Sequence, residues 1–163
     1  MSIGRVALHA GFAAIVLAPV VVAREAFAFD FARYRPTTIR AVIRNVAAQP
    51  GILVTTDLPI RARVTFAGEF RDLPDDSRRL IAAWAETMNV PVAPGVFPQE
   101  LRVSEAGTDY WVPVQEVLGP AMRAELQTGE EIELYMIYIG RVDGRHLFLV
   151  NAFDHEGPHR PRP

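Results

Sequence analysis

The chain contains neither cysteine nor lysine. Without cysteine there is no disulfide, no thiolate metal site, no thiol nucleophile and no lipid-anchored N-terminal cysteine. A domain of this length does not need disulfides to fold, so their absence does not argue against an oxidising compartment. Without lysine there is no Schiff-base chemistry and no phosphate loop of the G-x-x-x-x-G-K type. Serine is almost as scarce, confined to Ser2, Ser77 and Ser104. Ser2 lies in a leader, Ser77 is expected to cap a helix, and Ser104 stands outside any G-x-S-x-G elbow, so a Ser-His-Asp hydrolase is not expected. No G-x-G-x-x-G segment follows a strand pattern, which leaves a dinucleotide-binding fold unsupported. A basic excess is missing too. All 17 basic residues are arginine, against 19 acidic ones, for a formal charge of −2. That balance speaks against a nucleic-acid partner.

What is present is the composition of an ordinary folded domain. Half of the 163 residues are hydrophobic, enough for one core and against wholesale disorder. Residues 1–28 read as a secretory signal peptide. Met1 to Arg5 make a short basic start, Val6 to Ala23 an apolar run, and Ala26-Phe27-Ala28 a small-x-small cleavage site, with Val21-Val22-Ala23 as a second. Cleavage after Ala28 removes Arg5, Arg24 and Glu25, leaving 15 basic and 18 acidic residues and a charge of −3. The alternative is an uncleaved anchor, since the run approaches the ~20 residues that span a bilayer. Pro19 and the A-x-A site favour cleavage. Both readings put the domain outside the cytoplasm, periplasmic or secreted.

Periodicity divides the rest. Thr37 to Val46 alternates, with Ile39, Ala41 and Ile43 opposite Arg40 and Arg44, and predicts a half-buried strand. Gln49-Pro50-Gly51 predicts a turn, and Ile52 to Thr56 a short strand. Ile60 to Phe70 has the clearest period of two: Ile60, Ala62, Val64 and Phe66 on one face, Arg61, Arg63 and Thr65 on the other. Gly68 in this run predicts a bulge or bend. Asp75 to Asn89 switches to a helical period with Leu80, Ile81, Trp84 and Met88 as its stripe. Residues 100–105 and 108–115 predict a hairpin about Ala106-Gly107, residues 119–128 a short helix, and residues 131–142 and 145–153 a hairpin about Asp143-Gly144.

Five strands with a short helix between the third and fourth resemble the OB fold, a small Greek-key barrel. In that resemblance Ile60–Phe70 is strand one, the hairpin at 100–115 strands two and three, 119–128 the helix, and 131–153 strands four and five. The helix at 75–89 is an insertion. The expected fold class is thus mainly β with two helices, an OB-like five-stranded small barrel, with a mixed α+β roll as the alternative. The domain is expected over residues 29–153, followed by a flexible tail at 154–163. The resemblance rests on element order and carries over no functional residue.

Three constellations bear on function. His155-Glu156-Gly157-Pro158-His159 matches the letters of H-E-x-x-H, but Gly157 and Pro158 oppose the helix that would put both histidines on one face. Asp154, His155 and His159 therefore remain weak metal candidates in a short His-rich tract. Tyr110, Trp111, Tyr135 and Tyr138 suggest an aromatic platform. Adjacent strand residues point to opposite faces, however, so Tyr110 and Trp111 cannot serve one surface, nor can Tyr135 and Tyr138. Arg61 and Arg63 share a strand face, as do Glu131 and Glu133. A cross-strand ladder of these pairs is favoured over an anion site built from Arg40, Arg44, Arg61 and Arg63. Arg61, Arg63, Tyr110 and Trp111 are the candidate ligand surface.

No catalytic residue and no cofactor emerges. The sequence is best read as an exported, non-enzymatic binding or interaction module of the cell envelope, with an envelope protein or small ligand as partner. It would touch the membrane only if the N-terminal segment is retained. The alternatives are a metal-dependent hydrolase and an anchored accessory subunit of a membrane assembly.

Overall fold

The computed structural model describes residues 29–46 and 53–155, with the side chains of residues 53–57 left out. The chain opens with a 3-10 turn at Phe31–Arg33 and a two-residue strand, β1 (Arg35–Pro36). There follow α1 (Ile39–Asn45), β2 (Leu53–Asp72), α2 (Asp75–Met88), β3 (Gln99–Glu105), β4 (Thr108–Val114), α3 (Gly119–Glu125), β5 (Glu131–Val142) and β6 (Arg145–His155).

Five of the strands close a barrel in the order β2-β3-β4-β6-β5, returning to β2. All its pairings are antiparallel except β4 with β6, which meet in parallel at Val114 and Val150. This is the OB-like arrangement, with α3 between the third and fourth barrel strands and α2 inserted between the first two. β1 lies outside the barrel, parallel to β2 at Ile60 and Arg61. The two hairpin turns form where expected. Ala106-Gly107 and Asp143-Gly144 adopt consecutive left-handed conformations, with φ of 49° and 77° and of 48° and 80°, the geometry that matches strand twist in a two-residue connection. Gly68 sits in the register shift between Phe66 and Phe70. A Cβ there would run into Thr128 Oγ1, so the bend needs glycine for space as well as for its φ of 76°.

Two hydrophobic layers result. The interior is filled by Ile60, Ala62, Val64 and Phe66 from β2, Leu101 and Val103 from β3, and Leu134, Met136, Tyr138, Phe148 and Val150 from the last hairpin. Ile39 and Val42 of α1 and Met122 of α3 pack into the same cluster. A second layer lies outside the barrel. Tyr135, Ile137, Ile139, Leu147 and Leu149 face outward from β5 and β6, and Leu80, Ile81 and Trp84 of α2, with Phe97 and Tyr34, bury them. The continuous apolar run Tyr135–Ile139 follows from this, because both its faces are covered.

Four expectations need correction. Thr37–Val46 is not a strand: residues 39–45 are helical, so the described chain has three α-helices rather than two. The apolar side chains Ile39 and Val42 are three apart, a spacing that serves a helix as well as alternation serves a strand. Thr38 Oγ1 accepts from Ala41 N at 3.0 Å, and the Glu105 carboxylate accepts from Ile39 N and Arg40 N at 2.8 and 3.0 Å. Residues Leu53–Asp72 form one long strand instead of two short ones, pairing with β5 through an irregularity between Val54 and Leu58. Ser77 does not cap α2. The N-cap is Pro74, and the Ser77 hydroxyl, fully buried, faces the Glu100 carboxylate at 3.4 Å. Finally, Asp154 and His155 belong to β6, where His155 pairs with Ile132, so strand pairing continues two residues past 153. The turn expected at Gln49–Gly51 and the segment 156–163 lie outside the described residues.

Candidate functional site

The outer faces of β2 and β4 carry Arg61, Arg63 and Trp111 of the sequence-predicted surface. Successive residues of a strand alternate, so Arg61, Arg63 and Thr65 point outward while Ala62, Val64 and Phe66 fill the barrel. On β4 the same rule separates the two aromatics. Tyr110 packs against the interior cluster, whereas Trp111 lies on the outer wall, opposite Arg102 of β3. The structure therefore sets Arg61 and Arg63 on the stretch of β2 that pairs with β5, sets Trp111 beside Arg102 and under Arg71, and turns Tyr110 away. Tyr135 and Tyr138 part in the same manner, one to the outer layer and one to the interior.

The arginines of this wall are spoken for. Arg61 donates to Glu133 at 3.4 Å and Arg63 to Glu131 at 3.5 Å, forming the expected ladder between neighbouring strands. Arg102 binds Glu69 at 2.6 Å and Asp109 at 2.8 Å; its guanidinium pKa is raised, first by the hydrogen bond to Glu69 and then by that to Asp109. The Arg71 guanidinium lies 3.9 Å over the Trp111 ring and binds Glu100 at 2.9 Å. Pairs as exposed as Arg63–Glu131 add at most ~1 kcal/mol to stability. Their effect is to neutralise the wall while holding its side chains in place. Arg40 and Arg44, the other two members of the anion-site alternative, stand on α1.

Glu100 is the group that sequence reading missed. It points outward from β3, yet it is fully buried, because α2 lies over it. Arg145 and Arg71 bind its two carboxylate oxygens, and Arg145 also reaches Asp76 at 3.4 Å. The alternation of Glu100, Arg102 and Ser104 marked the outward phase. Nothing local marked which of the three the inserted helix would cover.

The metal candidates separate. His155 Nδ1 lies 3.0 Å from Glu130 Oε1, and its Nε2 lies 3.7 Å from Glu125. The Glu130 carboxyl is held below its usual pKa, mainly by the Gln127 backbone N–H and further by His155. Asp154 accepts from the His155 N–H at 2.9 Å. His159 lies outside the described residues. Among the described residues no cluster of three or more His, Asp or Glu could hold a metal ion, and no helix is long and apolar enough to cross a membrane. An open groove of about 300 Å³ runs between the end of β2 and α3, lined by Phe70, Gln99, Val114 and Arg123 among others. There Arg123 stacks on Phe70 at 3.9 Å and donates to Gln99 at 2.5 Å.

No family model matches this chain, and no curated protein matches its sequence.

Proposed function

We propose that this protein is an exported, non-enzymatic binding or interaction module of the cell envelope, and that it meets another envelope protein across the outer wall of β2, β3 and β4. The observation that carries the reading is the wall itself. It is a sheet surface, continued onto the start of β5, on which Arg61 and Arg63 pair with Glu133 and Glu131, Arg102 pairs with Glu69 and Asp109, and Arg71 lies over Trp111. The Arg102 pairs at 2.6 and 2.8 Å and the Arg71–Trp111 stack order part of this surface before binding, which lowers the side-chain entropy lost on contact. It is also charge-balanced, which suits a protein surface of mixed charge better than a polyanion. Arginine and tryptophan are the residues that most often anchor interfaces.

The export leader supports the location. Mass spectrometry of the protein from the cell exterior or periplasm should find Phe29 as the first residue, or Arg24 from the second cleavage site. A cytoplasmic protein retaining Met1 overturns the assignment to the envelope. The surface is tested by a photo-crosslinking residue placed at Arg63, on the wall, and separately at Arg79, on the exposed side of α2. A discrete adduct from position 63 and none from position 79 is expected. Equal labelling from both, or none from position 63, contradicts the reading.

A further inference from the structure

One charged side chain of the last hairpin is almost wholly buried. Arg141 is 5% exposed. Strict alternation from inward-facing Tyr138 would send Arg141 outward and Val142 inward. The β5–β6 register slips between Tyr138 and Gly140, and Val142 instead joins the outer layer with Ile139 and Leu147. The bulge thus turns Arg141 and its cross-strand partner His146 to the inner side of the hairpin. There the His146 ring stacks on Tyr138, which in turn packs on Phe148. Re-aiming one side chain is a characteristic use of a bulge.

The guanidinium so placed has no counter-charge among the described residues. Its Nε and Nη2 are both buried and neither has a hydrogen-bond partner. These two nitrogens form one edge of the planar group, the edge that presents two parallel N–H bonds to a single oxyanion. Arginine cannot shed its charge to escape burial, and a buried charge with no partner is strongly destabilising. The described neighbours His146 and Tyr138 do not relieve it. The His146 imidazole is held below its usual pKa by burial and then by Arg141, so it is neutral at pH 7. Burial holds the Tyr138 phenol above its usual pKa, so it stays protonated and supplies no anion. The Tyr138 hydroxyl and His146 Nδ1 lie 3.0 Å apart, within hydrogen-bond distance. One positive charge, one two-pronged edge and two neutral aromatic neighbours describe a receptor for a singly charged, planar oxyanion.

We propose that the edge of Arg141, beside Tyr138 and His146 at the β5–β6 end of the barrel, binds the carboxylate of a small organic acid. The bidentate fork supplies orientation, and the aromatic neighbours favour a ligand with an apolar body. This deepens the binding-module reading and rests on it, by giving the module a ligand class at a second place, inside the hairpin rather than on the wall.

The test uses the mature domain, with acetate and benzoate as probes, chloride to match ionic strength, and inorganic phosphate as the competing oxyanion. Two signals are read: the His146 ring resonances by NMR and the melting temperature. Saturable movement of the His146 resonances with benzoate, and a rise in Tm of about 5 °C or more well above the dissociation constant, are expected because a ligand that binds only the folded state stabilises it. Arg141→Met should lose both responses. Without added carboxylate it should melt no lower than the wild type, since an apolar chain of similar length replaces an uncompensated charge. No saturable response in the wild type, or one kept in Arg141→Met, overturns the site. An equal response to phosphate overturns the assignment to carboxylates. Should Arg141→Met fail to fold, the proposal falls on that ground too, because an unpaired charge cannot be what the fold requires. Failure here leaves the crosslink from position 63 untouched, so loss of this site and loss of the binding-module reading are separate outcomes.

Discussion

On the wall made by β5 and β6, Tyr135, Ile137, Ile139, Leu147 and Leu149 face away from the barrel and are still buried, under α2 and the N-terminal segment. On the outer face where β2 meets the start of β5, Arg63 and its partner Glu131 keep about two-thirds of their side-chain surface in water, at 68% and 70%. Both walls belong to the same closed sheet. The difference is that Tyr135–Ile139 is apolar in both phases, whereas Arg61–Phe66, and Glu131–Leu134 opposite it, are apolar in one phase only. A doubly apolar strand obliges the chain to supply a second layer. An alternating strand leaves its outer face free to meet something else. The barrel's outer face is therefore divided: one part is covered by the structure, and the other is left in water.

The comparison breaks most easily at the covered wall. Trp84 is 4% exposed and lies at the centre of the outer layer. Trp84→Ala should cost ~3–5 kcal/mol, as much as Phe148→Ala inside the barrel, because both remove a large buried ring. Against a total of ~5–15 kcal/mol for a domain, either change is severe. Urea titrations of the two variants decide it. A Trp84→Ala loss below ~1 kcal/mol would make α2 an ornament rather than a second core.

The boundary between the walls is held by Glu100. Removing this fully buried carboxylate strands Arg145 and Arg71. Breaking a fully buried pair costs ~3–5 kcal/mol, but these arginines keep 24% and 44% exposure and can regain water, so about 2 kcal/mol is expected for Glu100→Ala. The same titration reads it, and a neutral result would mean that the network does not fasten α2 to β3.

Smaller effects distinguish how each wall answers to solution conditions. On the covered hairpin the response should be to pH. Burial, and then Arg141, hold the folded-state pKa of His146 below 6.5, so the unfolded chain takes up its proton more readily. The stability linked to this group is complete above about pH 6.5 and is lost as the pH falls through the folded-state pKa. His146→Gln should flatten that limb of the stability curve, whereas an unchanged acid limb would show that His146 is not the responding group. On the open wall the response should be to salt, and it is the smallest. Arg63→Ala should change stability by less than ~0.5 kcal/mol, and the difference should vanish near 1 M salt, where the Debye length shrinks to ~3 Å. A salt-independent loss would mean that Arg63 packs rather than pairs.

Much of the barrel is legible in the sequence. The two hairpins announce themselves through Ala106-Gly107 and Asp143-Gly144, α2 through its apolar stripe, and the faces of β2 through the alternation of Arg61 to Phe66. The order of these elements is enough to suggest the OB-like closure that the strand pairings show. What was not legible depends on contacts far apart in the chain. α1 reads as a strand because its seven residues suit either period, and its N-terminus is secured by Glu105, 66 residues away from Ile39. Ser77 reads as a cap because nothing nearby reveals that Glu100 will face it. Arg141 lies in the segment 131–142 that reads as a strand, and nothing in that reading singles it out. Its burial comes from a one-residue slip in pairing, which no local pattern records. Of the candidate surface, alternation correctly separated Tyr110 from Trp111, and the charges of Arg61 and Arg63 pointed to their partners on β5.

Because the chain has no native cysteine, the division between the walls can be read one residue at a time. Single replacements Arg63→Cys, Ser104→Cys, Tyr135→Cys, Ile137→Cys and Ile139→Cys place one thiol each on the open or the covered wall. Their rates of maleimide labelling under native conditions measure exposure directly. The account predicts fast labelling at positions 63 and 104, and labelling at 135, 137 and 139 slower by at least about tenfold, limited by opening of the α2 layer. Labelling at position 137 as fast as at position 63 would contradict it, for the β5–β6 wall would then stand as open to solvent as the wall proposed to bind.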